Sequence, residues 1–182
     1  MQRRSYSTGF LTAALLGVLL NSCSVTEYRQ LLFSGYQPAP VSKKIPGAVT
    51  IETRVIDLRY SDANFEEAMR QVIAEDIAVL FSEPSFKKGV REDYVVRVTA
   101  KYDAGATLFS TSTFEVTATV VDARTEKILF SHNRKGERIG HEPQSLLRSV
   151  MPEFREDLIK AFDGAVPLGG QPVLLPGIMG DR

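Results

Sequence analysis

The chain has 182 residues, with 22 basic and 22 acidic side chains and a formal net charge of zero. That length suits one domain with a proper core rather than two. The even charge balance, with no basic stripe interleaved with aromatics, excludes a nucleic-acid-binding protein.

The chain opens on a positive pair, Arg3 and Arg4, followed by an apolar run from Phe10 to Leu20 and then Leu20-Asn21-Ser22-Cys23. A positive start, an apolar stretch and small or polar residues before a cleavage point are the parts of an export signal. The run is too short to cross a bilayer, which takes roughly 20 apolar residues. Ser5-Tyr6-Ser7 lack the paired apolar positions of a twin-arginine signal, so ordinary Sec export is expected. Leu20 to Cys23 resembles the bacterial lipobox, and the resemblance implies cleavage before Cys23 with acylation, palmitate included, of its thiol. Cys23 is the only cysteine, so the exported chain has no disulfide, and acylation accounts for an odd cysteine in an oxidising compartment. In lipoproteins of this kind an aspartate after the cysteine signals retention in the inner membrane. Ser24 therefore implies an outer-membrane address with the domain facing the periplasm. Removing 22 of the 182 residues leaves 160, and losing Arg3 and Arg4 leaves 20 basic against 22 acidic side chains.

Residues 23–48 carry Gly35, Pro38, Pro40, Pro46 and Gly47 without sustained periodicity, which predicts a lipidated N-terminus and a mostly extended tether. Tyr28, Leu31, Leu32, Phe33 and Tyr36 are too apolar for a pure spacer and are expected to pack in part on the domain. The folded domain is predicted over residues 49–162. Val49 to Leu58 reads as a strand whose phase slips after Val55, the mark of a bulge. Asn64 and Glu67 form an approximate capping box before a helix running to about Phe81, with Glu66 and Arg70 spaced for an i,i+4 pair and Pro84 ending it.

Tyr94 to Asp103 and Phe114 to Val120 alternate apolar and polar residues, and the turn from Asp122 to Glu126 returns the chain as a hairpin through Lys127 to Arg134. Gly105 to Thr113 either extends this meander or forms a loop. A last helix starts near Pro143 and buries Leu146, Leu147, Val150, Met151, Phe154, Leu158, Ile159 and Phe162, with Pro152 expected to kink or split it. Residues 163–182 are rich in Gly and Pro and are expected to form a flexible tail, in which Val173-Leu174-Leu175 is a candidate docking segment.

Two helices with single apolar faces need one shared partner. The expected fold is therefore α+β, a three- to four-stranded mixed or antiparallel sheet with two amphipathic helices packed on one face. The opposite face would carry Arg97, Thr99, Lys101, Glu115, Thr117 and Thr119, which is either a solvated surface or a binding face.

Reactive chemistry is thinly represented. His132 and His141 are the only histidines, and neither their spacing nor the single cysteine makes a zinc site. Glu137 and Glu142 near His141 form the one conceivable acid/base cluster, but polar residues in a loop are normally just solvated. Gly136-Glu137-Arg138-Ile139-Gly140 lacks the lysine and hydroxyl residue of a phosphate loop, and no serine elbow is present. The pairs Lys43-Lys44 and Lys87-Lys88 read as solvated loop charges. No enzyme and no cofactor are expected.

Tyr94-Val95-Val96-Arg97-Val98, leading to Phe114 through Val121 and then Asp122-Ala123-Arg124-Thr125-Glu126-Lys127-Ile128-Leu129, is similar to small envelope lipoproteins. The likeness is to the lipopolysaccharide-assembly (LptE-like) and transport-auxiliary groups, and the hairpin also resembles the amino-terminal domain of TolB and curli-type secretion lipoproteins. It spans about residues 49–162. It implies a non-catalytic accessory or assembly subunit of a transport or secretion complex, anchored in the membrane by its N-terminal lipid and bound to an envelope protein partner. The alternative is a periplasmic module that binds lipopolysaccharide, peptidoglycan or another glycan through the polar face or the loop from Gly105. A hydrolase would need His141 or its neighbouring carboxylates to act.

Overall fold

The computed structural model describes residues 23–87, 92–107, 109–140 and 142–165. In chain order the elements are α1 (Val25–Phe33), β1 (Ile45–Asp57), α2 (Ala63–Ala78), β2 (Phe81–Ser85), β3 (Tyr94–Asp103), β4 (Thr111–Asp122), β5 (Ile128–Ile139) and α3 (Pro143–Ala165). The strands form one mixed sheet of five in the order β2-β1-β3-β4-β5. β1 runs parallel to β2 and β3, whereas β3-β4 and β4-β5 are antiparallel. The α+β class is as expected, with one strand and one helix more than the sequence indicated.

Alternation explains the layering. Ile51 and Val55 on β1, Val96, Val98, Ala100 and Tyr102 on β3, and Phe114, Val116, Ala118 and Val120 on β4 are buried on one face. α2 covers that face over β1, and α3 covers it over β4 and β5. Gly136 on β5 is needed where α3 comes close to the strand, because a Cβ there would collide with Val150 of α3. The far end of α3 is held by aromatic edges: the Phe162 ring lies 5.6 Å from Phe81, 5.6 Å from Tyr94 and 5.0 Å from Phe130, all T-shaped. Phe162 thus joins a helix to strands β2, β3 and β5. Phe162→Ala should cost about 3–5 kcal/mol, the usual range for emptying an aromatic core site. Urea unfolding checks this, and a loss under about 1 kcal/mol would mean that the cluster closes over the gap.

The extra strand, β2, lies where the helix was expected to continue. α2 stops at Ala78, and Leu80 and Phe81 are fully buried as the chain turns into an edge strand. Pro84 does not end a helix; it sits on this edge, where the N–H that proline lacks is not needed by an inner ladder. The bulge of β1 falls between Ile45 and Ala48, with Gly47 at φ 114, and the pairing with β3 runs unbroken from Val49 to Asp57. No slip follows Val55. β1 therefore begins four residues earlier than Val49.

Other local expectations shift by a residue or a partner. Asp62, rather than Asn64, caps α2, accepting from the Asn64 and Phe65 N–H groups at 2.9 and 3.0 Å. Arg70 pairs with Glu67, and Glu66 instead accepts from the Asp57 N–H at 2.8 Å. β4 takes in residues 111–113, leaving 104–110 as the connection, and β5 continues past Arg134 to Ile139. α3 is one continuous helix through Pro152 and is not split there; Leu147 and Met151 before the proline and Phe154 and Leu158 after it are all buried, so tertiary packing supports both halves. The helix includes residues 163–165 of the segment expected to be tail. Residues 166–182, with Val173-Leu174-Leu175, lie outside the described residues.

The largest difference is in the tether. Val25–Phe33 is a helix docked on α2 and α3, and Tyr28 and Phe33 are buried. Ser24 and Glu27 form a full capping box: the Ser24 N–H donates to the Glu27 carboxylate at 2.6 Å, and the Glu27 N–H donates to the Ser24 hydroxyl at 3.3 Å. Phe65 of α2 receives Tyr28 at 5.8 Å and Phe33 at 6.4 Å, and itself rests on Tyr102 at 5.4 Å. The buried aromatic pair thus makes α1 part of the domain.

Candidate functional site

Cys23, half-buried, stands at the start of α1 against the N-terminus of α2. The Asn64 side-chain amide donates to the Cys23 carbonyl at 3.0 Å. Five residues on, the Tyr28 hydroxyl donates to Asp62 at 2.8 Å, so the cap of α2 also receives α1. Burial, followed by this bond and the Asp62 charge, pushes the Tyr28 hydroxyl well above its usual range. Arg29 then reaches Glu75 at 2.5 Å and Gln71 at 3.2 Å. No free spacer separates the cysteine from the domain.

The stretch after α1 is fastened as closely. The Tyr36 hydroxyl donates to Asp76 at 2.8 Å, and Arg155 of α3 donates to Asp76 at 2.9 Å and to the Ala39 carbonyl at 2.9 Å. Asp76 and Arg155 have side chains only 0% and 4% exposed. Burial holds the Asp76 carboxyl above its ordinary value of 3.8, while the Arg155 charge and the Tyr36 hydroxyl act in the opposite direction. Arg148 donates to the Gly35 carbonyl at 2.6 Å, and Lys43 meets Asp163 at 2.7 Å. The segment from Cys23 to Lys43 thus runs along both helices from one end of the domain to the other.

The six polar residues picked from the alternation share the face away from the helices and stand in register: Arg97 opposite Thr119, Thr99 opposite Thr117, Lys101 opposite Glu115. Most of them are engaged with neighbours on that face. Arg97 bonds Glu52 at 3.1 Å, Lys101 lies 4.0 Å from Glu115, Asn133 donates to Glu115 at 2.9 Å and Thr117 at 2.7 Å, and Thr119 meets Ser131 at 3.2 Å. Glu52, Asn133 and Ser131 belong to this surface and were not picked out, although the same period of two on β1 and β5 would have found them. At its β1 side a shallow depression is lined by Thr50, Glu52, Arg54, Phe86, Arg97 and Thr99. It lies where β2 ends, since β2 pairs with β1 only as far as Thr50.

Of the conceivable acid/base cluster, the described residues include the two carboxylates, each with a local partner. Glu137 pairs with Lys135 at 2.7 Å, and Glu142 accepts from Ser145 at 2.8 Å beside the start of α3. His132 faces α3, its Nε2 3.3 Å from Asp157, and its ring lies 5.6 Å from Phe154. Asp157 is also held by Arg134 at 2.9 Å. His141 and the lipobox residues Leu20, Asn21 and Ser22 lie outside the described residues. Among the described residues no three His, Cys, Asp or Glu side chains could hold a metal ion, and no helix is long and apolar enough to cross a membrane.

No family model and no curated protein matches the chain. Solved structures similar to it include protein XCC0632 from Xanthomonas campestris, at 10% identity over 68% of this chain and 87% of that one, with a TM-score of 0.43. A dodecamer of a PelC variant from Paraburkholderia phytofirmans is similar at 10% identity over 65% of this chain and 90% of that one, TM-score 0.42. Lipoprotein GNA1162 from Neisseria meningitidis is similar at 16% identity over 64% of this chain and 99% of that one, TM-score 0.41. Of these three, GNA1162 is named a lipoprotein, and no protein of the lipopolysaccharide-assembly group is among them.

Proposed function

We propose that this protein is a non-catalytic lipoprotein, held by acyl chains on Cys23 at the periplasmic face of the outer membrane, that serves as an accessory or assembly subunit of an envelope transport or secretion complex. The observation that carries the reading is the fastening of Cys23 to the domain through Asn64 and of the following segment to both helices. An anchor without slack fixes the height and tilt of the domain over a membrane, which suits a part that positions other parts. α3 begins at the same end of the sheet as α2, whose first turn holds Cys23, and at 1.5 Å per residue carries the chain about 35 Å by Ala165. The segment after α3, with Val173-Leu174-Leu175, is proposed to meet the partner.

Pull-down of the full chain from detergent-solubilised envelopes is expected to recover a membrane protein in fixed ratio, and deletion of residues 166–182 should abolish that recovery. Recovery of the chain alone would count against the accessory role. A second reading, a module for lipopolysaccharide, peptidoglycan or another glycan, draws on the depression beside Arg54, Phe86 and Arg97, which offers charge and an aromatic side chain together. It predicts sedimentation with purified cell wall or lipopolysaccharide without any protein partner.

A further inference from the structure

Four exposed apolar side chains gather at the end of the sheet where Cys23 is held. Leu58 is 57% exposed, Tyr60 66%, Phe109 89% and Ile139 71%. They come from the β1 to α2 connection, the β3 to β4 connection and the last residue of β5, and the strand register brings these together: Asp57 pairs with Tyr102, Asp103 with Thr113, and Thr111 with Ile139. The connections are tied to one another. The Leu58 N–H donates to the Tyr102 carbonyl at 2.8 Å, the Gly140 N–H donates to the Ser110 carbonyl at 3.2 Å, and the Ser112 hydroxyl bonds both the Ala104 and Gly140 carbonyls. α2 begins at this same end, and Asn64 in its first turn holds Cys23.

We infer that these loops form a membrane-seating rim, in which Leu58, Tyr60, Phe109 and Ile139 enter the headgroup region of the bilayer that takes up the acyl chains of Cys23. The inference rests on the proposed acylation of Cys23 and adds to it an orientation. With the Cys23 carbonyl 3.0 Å from Asn64, acyl chains leave the protein at this end with no spacer, so they reach a bilayer only if this end lies on it. Apolar side chains brought there then lose water to the headgroup and acyl boundary, where amphipathic surfaces bury to about 5–10 Å. A tyrosine suits that depth because its ring is apolar and its hydroxyl remains wet. Ile128, also exposed at 65%, lies at the opposite end of β5 and would remain in water.

The chain has no tryptophan, so one indole can be placed at will. Full-length acylated Phe109→Trp and Ile128→Trp proteins are reconstituted in phosphatidylethanolamine and phosphatidylglycerol vesicles with brominated acyl chains, and quenching is read alongside the intact mass. Phe109→Trp should be quenched at least about threefold more than Ile128→Trp, as a depth of several Å requires. Equal quenching, or more at position 128, with the acyl mass present overturns the rim and leaves the anchor standing. Absence of acyl mass on Cys23 removes the anchor itself and the rim with it.

Discussion

Arg155→Ala is expected to lower the stability of the domain by about 3–5 kcal/mol, because it leaves the Asp76 carboxylate buried without its charge partner. The effect is large since the Asp76 side chain is 0% exposed, and its remaining partner, the Tyr36 hydroxyl, cannot neutralise it. The pH dependence has a definite sign. Burial raises the Asp76 carboxyl above 3.8, and Arg155 is the main influence that lowers it, so removing Arg155 raises it further. A carboxyl raised in the folded state binds its proton more tightly there than in the unfolded chain, so folding gains as pH falls through the folded value toward the unfolded one. The deficit of Arg155→Ala should therefore shrink steadily as pH is lowered from 7 toward about 4. Replacing both partners with apolar residues, Asp76→Leu with Arg155→Met, should recover most of the loss, as buried ion pairs exchanged whole for packed side chains generally do. Urea titrations at several pH values measure all three. A constant deficit across pH would show that Arg155 acts through packing and the Ala39 carbonyl instead of through Asp76.

Cys23→Ser is expected to move the protein from the envelope fraction into the soluble periplasm without changing its fold. Each methylene of a buried acyl chain contributes about 0.8 kcal/mol to membrane attachment, and two or three chains together make that attachment stable. The exposed loops alone lack that area, so the membrane-bound share should fall at least about tenfold. The contact to Asn64 uses the Cys23 carbonyl, which serine retains, so the thermal midpoint should not move. Fractionation after signal processing checks the first expectation and a melting curve the second. Full membrane retention of Cys23→Ser would mean that a partner, rather than lipid, holds the domain.

The inner strands were legible because their two faces differ in chemistry. Tyr94 to Asp103 and Phe114 to Val120 alternate strictly, and that alternation also put Arg97, Thr99, Lys101, Glu115, Thr117 and Thr119 on one face. β2 was not legible. Its five residues, Phe81-Ser82-Glu83-Pro84-Ser85, closely follow a helix and contain a proline, and its pairing depends on β1, whose partners such as Ile45 for Phe81 and Thr50 for Ser85 lie far back in the chain. α1 carried a readable signal that the prolines after it overshadowed: Ser24-Val25-Thr26-Glu27 is a capping box, followed by Tyr28, Leu31 and Leu32 at helical spacing. The Tyr36, Asp76 and Arg155 cluster could not be found from the chain, since its members are 40 and 79 positions apart and owe their burial to tertiary packing. The same is true of the apolar rim, where Leu58, Tyr60, Phe109 and Ile139 look like scattered loop residues until the register aligns them.

The mass of the mature chain isolated from its own envelope tests the anchored-lipoprotein reading most directly. A polypeptide that begins at Cys23 and carries acyl chains there is the predicted result, and one that begins elsewhere, or begins at Cys23 with an unmodified thiol, would contradict it.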